Sequence, residues 1–486
     1  MTTSTHALGH EIWPNLFPQI PHCTYVIRKA LGAYQRQLTA IRRVAKVKRE
    51  AFLQELRERI ALRKVTIDDP EKALSNIEKQ LRNTQNFKSI KRVLKQQTFL
   101  PLNKVNVSYE ETTMDPETLE THTETKTNTI DTRALLEKAI LERNQRHFSQ
   151  SHGTPWTESP FQYMGSAANF NQYKTKEGHD IQIPDNTFLE TKTVLEILRE
   201  RTSQVKQPFS DAIPFEEFIS FLLHWKESTS TSPSGRHLGI YLALVTAFRN
   251  KQGEFSTPIG EKEMQIKQKA SDILHAIHSL MDMASRKGFF LKRWTIVVNV
   301  MIYKSLGCID LEMLRIIHLF EADFNLIIGL LFGRRAMYHA AENGLIHRGQ
   351  YCKPAGECND AVLLKVLHNH LSWLTKTPMG QFECDATACF DRMVMLFVLH
   401  CFIAIGTPTT SCKMWELALL HVVHFIHTAF GNSTQSYASS PAKRIHRPGQ
   451  GSREGPSGCT IMCSPLLEAQ EKLAHGITFY NPAQQQ

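Results

Sequence analysis

The chain has 486 residues, 42% of them hydrophobic and 21% charged, with a formal net charge of +10. This balance excludes a wholly disordered chain and leaves room for two or three domains. The longest apolar run, Val394 to Ile405, is interrupted by His400 and is shorter than the roughly 20 residues a bilayer helix needs, so it reads as a buried helix and no membrane partner is expected.

The charge is unevenly spread. Between Arg28 and Lys104 stand 20 Lys or Arg against 7 Asp or Glu, an excess larger than that of the whole chain. Such a block favours a polyanionic partner, because Lys and Arg displace counterions from phosphate. A basic protein without nucleic acid is the alternative. Ten cysteines occur, only Cys23 lies before residue 300, and no CxxC pair is present. Irregular spacing without a secretory signal predicts reduced thiols in an intracellular protein, nuclear or cytoplasmic and not secreted. A zinc site at Cys352, Cys358 and a histidine competes with cysteines packed as small hydrophobes, and the second reading is preferred.

Residues 1–25, with Pro14, Pro18 and Pro21, read as an irregular leader. From Tyr25 to about Leu100, Leu38, Ile41, Ala45, Phe52, Leu56 and Ile60 recur near helical steps between basic residues. Asp69-Pro70 breaks this run, and a second basic helix follows from Glu71 to about Gln97. The pair is either a solvated helical hairpin or an arm for RNA or DNA, and the two are compatible. The Thr/Glu-rich segment 103–130 predicts a hairpin turned at Asp115-Pro116, or a linker. Asp131 is placed to cap a helix through Arg146. Loop-rich sequence fills 147–190. Helices are predicted over 191–203, 214–225 and 260–287, with an apolar helix starting at Ile240. Trp294 to Tyr303 is β-rich, and helices alternate with short loops beyond 310. His421, His424 and His427 stand at i, i+3, i+6 and read as helix histidines, as do His368 and His370.

The segment Phe382-Glu383-Cys384-Asp385-Ala386-Thr387-Ala388-Cys389-Phe390-Asp391-Arg392 reads as a strand ending in a carboxylate, then a turn into a helix. An Asp there can hold a divalent cation against phosphates. Alone, the segment is better read with Asp385 as a helix cap and Phe390 in the core. Upstream lies Lys304 at the end of the β-rich run, and eleven residues later Arg315; downstream lies Gly449-Gln450-Gly451-Ser452.

In this order the segments resemble the motif set of the reverse transcriptase domain of non-long-terminal-repeat (LINE-like) retroelements, over roughly residues 135 to 482. Ser232-Pro233-Ser234-Gly235-Arg236-His237-Leu238-Gly239, Val300 to Asn325, Gln381 to Met393 and Arg143 to Gln150 carry the likeness. The resemblance implies an α/β (α+β) chain with right-hand polymerase fingers over 191–375 and a partial palm over 376–486. A basic helical arm over 1–102 and a hairpin or linker with helix and loops over 103–190 precede them. It implies an RNA-directed DNA polymerase, a nucleotidyltransferase taking an RNA template, a DNA primer, deoxynucleoside triphosphates and Mg2+. Lys304 and Arg315 would grip the triphosphate, with chemistry that suits a point charge and a fork on phosphate oxygens. Asp385 would be catalytic and the first metal ligand, with the Ala386 carbonyl facing the same metal. Phe390 would exclude a ribose 2′-hydroxyl, Asp391 would be structural, and Gln450 and Gly451 would support template base and primer sugar.

The sequence also departs from that pattern. Cys352-Lys353-Pro354 replaces an expected Gly-Arg, and Arg453-Glu454-Gly455 replaces small apolar residues, so the charged pair is expected to disturb the template contact. No Asp follows Asp391, and the one Asp-Asp pair is Asp68-Asp69. Two-metal phosphoryl transfer needs carboxylates from two strands, holding cations about 3.5–4 Å apart. The expectation is a chain truncated before its paired-Asp motif, inactive by itself, with a palm sheet short of strands. A non-catalytic nucleic-acid-binding remnant is the alternative.

Overall fold

The computed structural model describes residues 54, 102–114, 121–151, 153–158, 183–205, 207–225, 233–234, 238–249, 261–304, 308–354, 356, 358–376, 389–440, 445 and 449–474. The helices and Asp69-Pro70 break expected before residue 100, and Asp385 and Ala386, lie outside this set. The chain is mixed helix and sheet.

Strands β1 (Val105–Met114) and β2 (Thr121–Ile130) form an antiparallel hairpin running from Val105↔Ile130 to Met114↔Thr121. Polar cross-strand pairs line it, with Thr129 Oγ1 donating to Asn106 Oδ1 at 2.8 Å. Helix α1 (Arg133–Phe148) follows. Its N-cap is Thr132, whose side chain makes no capping bond, so the expected capping by Asp131 does not hold. Leu136, Ile140, Asn144 and Phe148 recur at four-residue steps, and that spacing gives α1 a buried stripe. The stripe packs with Leu102 and Val105 onto Met301, Leu314, Ile316, Ile426 and Tyr437 of the main sheet.

That sheet has the order β4-β3-β5-β6, with β7 also on β5. Strand β3 (Ile296–Tyr303) pairs antiparallel with β4 (Leu314–Leu319) and parallel with β5 (Val423–Thr428). Short β6 (Gly431–Asn432) and β7 (Tyr437–Ala438) complete it. Three expectations are corrected here. Trp294 lies in a 3-10 turn, Lys292–Thr295, ahead of the strand. The region beyond 310 is not only helices: β4 and β5 alternate buried and less buried positions, a period of two that exposes one edge of each residue pair to the core. His424 and His427 therefore sit on a strand, and His421 is the C-cap of the preceding helix.

Helices α2 (Leu189–Gln204), α3 (Phe215–Leu223), α4 (Leu238–Arg249) and α5 (Glu261–Lys287) precede the sheet. After β4 come α6 (Ala322–Ile328), a π-helical turn at Gly329–Arg335, α7 (Ala336–Glu342) and α8 (Cys358–Thr375). The short α9 (Cys389–Arg392), α10 (Met395–Ala404), α11 (Thr409–Leu420) and α12 (Gly455–Leu473) complete the set. One apolar core runs from Val194 to Ala469 through Trp294, Phe332, Phe402 and Trp415. Each such side chain contributes about 1.5–3 kcal/mol of burial. Residues on both sides of position 375 thus share one core and one sheet. Among the described residues no helix is long and apolar enough to cross a membrane.

Candidate functional site

The β3–β4 hairpin places two of the predicted phosphate ligands. Arg315 stands opposite Ile302 in the register, and Lys304 follows β3 by one residue, two positions beyond Ile302. Strand alternation puts Ile302 and Arg315 on one face. Both cations are exposed, and among the described residues neither is in an ion pair. Two uncommitted cations at one hairpin end suit the oxygens of a phosphate chain.

The outer edge of β4 anchors the Gln450 loop. The His318 backbone N–H donates to the Gln450 carbonyl at 2.7 Å, and His318 Nδ1 lies 3.0 Å from the same oxygen. Gly451 adopts φ +117°, and a Cβ there would stand 2.4 Å from the His318 carbonyl oxygen, so this approach requires glycine. Asn325 Nδ2 donates to the Gly451 carbonyl at 3.4 Å, and its Oδ1 accepts from Arg453 N at 3.1 Å. Phe390 lies beside the end of the same loop: a Cβ on Gly455 would meet its ring at 3.7 Å and Ser452 Oγ at 3.5 Å.

Helix α1 braces both parts. Arg143 is buried and donates to the carbonyls of Leu314 at 3.2 Å and Glu312 at 3.1 Å, at the start of Arg315's strand. Burial pulls its guanidinium below the ordinary range, with Glu312 opposing. One turn on, His147 Nε2 lies 3.1 Å from Asp391 Oδ2, and Ser151 Oγ donates to the Arg392 carbonyl at 2.8 Å. The Arg143–Gln150 segment thus holds the β4 hairpin and the Phe390–Asp391 turn at once. Sequence reasoning gave Arg143, His147 and His318 no role. Their contacts run to backbone or to distant residues, and only their positions within the matching segments Arg143–Gln150 and Val300–Asn325 signal them.

A buried ionic network ties further matching segments together. Arg293 pairs with Asp323, Nη1 to Oδ1 at 2.7 Å, and Trp294 Nε1 donates to the same oxygen at 3.1 Å. Glu321 accepts from Ser234 N at 2.8 Å and from Ser234 Oγ at 2.9 Å. Ser234 belongs to the polar segment ahead of α4, and these bonds fix Ser234 to the end of β4.

The charged pair after Gln450 turns inward. Arg453 lies between the rings of Phe221 and Trp225, 4.5 and 4.6 Å from their centroids, a cation–π arrangement. Gly329 and Gly333 of the π-helical turn make room for it; a Cβ on Gly329 would sit 2.9 Å from Arg453 Cβ. Glu454 is fully buried, and its carboxyl oxygens have no hydrogen-bond partner among the described residues. Burial pushes its pKa up to about 8, with nearby Ser452 and backbone offsetting only part of that effect.

Of the predicted residues, the fold brings Lys304 and Arg315 to one hairpin and ties Gln450, Gly451 and Phe390 to the adjoining loop. Asp385 and Ala386 lie outside the described residues. Among the described residues no group of three or more His, Cys, Asp or Glu is arranged to hold a metal ion, and Asp391 is engaged by His147. The chain matches no protein-family model and no curated protein.

Proposed function

We propose that the chain is a reverse transcriptase domain-containing polypeptide of LINE-like type, with polymerase fingers and a partial palm, that binds nucleic acid and nucleoside triphosphate. The observation that carries this reading is the use of one strand by separated motifs: β4 bears Arg315 and, at His318, holds the Gln450–Gly451 loop, with Lys304 one residue past the paired strand β3 and Phe390 beside the loop's end. Exposed cations on the hairpin that also holds a loop whose glycine permits close backbone approach suit a triphosphate against a template-primer. Mg2+ would be held by Asp385 with a second carboxylate. No Asp follows Asp391 in these 486 residues, and Glu454, the acid nearest the loop, is buried and predominantly protonated at neutral pH.

These residues by themselves are therefore expected to bind without polymerising. Primer extension on an RNA template with Mg2+ should give no product, while a fluorescent deoxynucleoside triphosphate should bind and lose affinity in Lys304→Ala and Arg315→Ala. Extension abolished by Asp385→Ala would overturn the inactive reading, and nucleotide binding indifferent to both cations would overturn the site. A non-catalytic nucleic-acid binder is the second reading, favoured by the basic block from Arg28 to Lys104. It predicts RNA and DNA binding without nucleotide binding.

A further inference from the structure

Three thiols converge behind the candidate site. Cys389, on α9 next to Phe390, has its Sγ 3.6 Å from Cys459 Sγ on α12. Cys463, one turn further along α12, has its Sγ 3.9 Å from the same sulfur. All three are half-buried, so a small oxidant has a route to them. Among the described residues no group of three or more His, Cys, Asp or Glu is arranged to hold a metal ion.

We propose that Cys389 and Cys459 form a reversible disulfide on exposure to a hydroperoxide, with Cys463 the first thiol oxidised, and that this bond clamps α9 to α12. The hydrogen bond from Cys459 lowers the Cys463 pKa and so favours its thiolate, the nucleophilic form. Cys459 is pushed up to about 11: its hydrogen bond with Cys389 works downward, but that with Cys463 and burial outweigh it. The Cys463 thiolate attacks the hydroperoxide's distal oxygen, the O–O bond breaks, and the alkoxide takes a proton and leaves as alcohol. The product is a sulfenic acid. Cys459, giving its proton to solvent, attacks that sulfur; the S–O bond breaks and hydroxide leaves as water. Cys389, as thiolate, then attacks Cys459 sulfur and Cys463 departs as thiolate. Two thiols and one hydroperoxide thus give one disulfide, one alcohol and one water, with two electrons passing from sulfur to oxygen.

The bond would join the turn carrying Phe390 and Asp391 to the helix that follows the Gln450–Gly451 loop. Its formation is independent of the ligand, whereas its consequence for nucleotide handling rests on the function proposed above. The test treats the full chain with hydrogen peroxide, blocks remaining thiols, digests with trypsin and sequences cross-linked peptides by mass spectrometry. The expected product joins residues 377–392 to 454–472 through Cys389 and Cys459, reverses with dithiothreitol, and is lost in Cys389→Ser and Cys459→Ser. Cys463→Ser should slow its formation about tenfold; an unchanged rate would overturn the first-thiol role. A bond through Cys384, or sulfinic acids with no cross-link, would overturn the disulfide. Nucleotide binding measured on the same protein separates the two ideas: a cross-link without nucleotide binding sinks only the nucleotide reading, and binding without a cross-link sinks only the disulfide.

Discussion

Gly451 and Glu454 sit three residues apart and respond to different physics. At Gly451 any side chain meets both a left-handed backbone and the His318 carbonyl. Gly451→Ala should cost on the order of 2–3 kcal/mol in urea unfolding, and a loss under about 0.5 kcal/mol would mean that the loop relocates freely. Glu454 carries a stability cost that depends on pH. The unfolded carboxyl ionises above its ordinary value of 4.5, whereas the folded one keeps its proton to about 8. Between those values the unfolded state binds fewer protons, so stability falls as pH rises and levels off above the window. The slope attributable to this group is at most about 1.4 kcal/mol per pH unit. Glu454→Gln should remove that slope and raise the unfolding midpoint at pH 8 relative to pH 5. An unchanged pH profile in the variant would place the cause elsewhere.

Among the elements, the start of β3 and the end of β4 hold together through the buried charges of Arg293, Glu321 and Asp323, and Ser234 bonds to Glu321. Arg293→Ala leaves Asp323 and Glu321 buried with their cation gone, which should cost about 3–5 kcal/mol in chemical denaturation. Arg293→Met together with Asp323→Leu should recover part of that loss, because an apolar pair carries no desolvation penalty. Long, strongly patterned elements such as β3, α5 and α10 are legible in the sequence, since their period or apolar run persists over eight residues or more. Strands β4 and β5 are hard to read because each has six residues and carries histidine at an inward position, where His318 and His424 are buried. The candidate site divides similarly. Lys304, Arg315, Gln450 and Gly451 are legible from their order along the chain. Arg143 and His318 are not, because they act on carbonyls of residues far away in sequence. The inward turn of Arg453 depends on Phe221, Trp225 and Gly329, three residues from two distant stretches of the chain, and no local pattern encodes it.

At the scale of the whole molecule, charge predicts behaviour that no single contact does. If the block from Arg28 to Lys104 engages phosphates, filter binding of single-stranded RNA should weaken about a thousandfold or more between 50 and 200 mM salt. Removal of residues 1–102 should flatten that dependence, and an equal slope in the shortened chain would move the phosphate contacts onto the remainder. The parallel pairing of Ile296 with Val423 has a consequence for the order of assembly. During synthesis β3 and β4 emerge together and can pair at once. The other side of β3 waits for a strand more than a hundred residues further along, on the order of ten seconds at ordinary translation rates. Throughout that interval a valine-rich edge lies open to any neighbouring nascent chain, so the yield of native protein should depend on how quickly the ribosome reaches Val423.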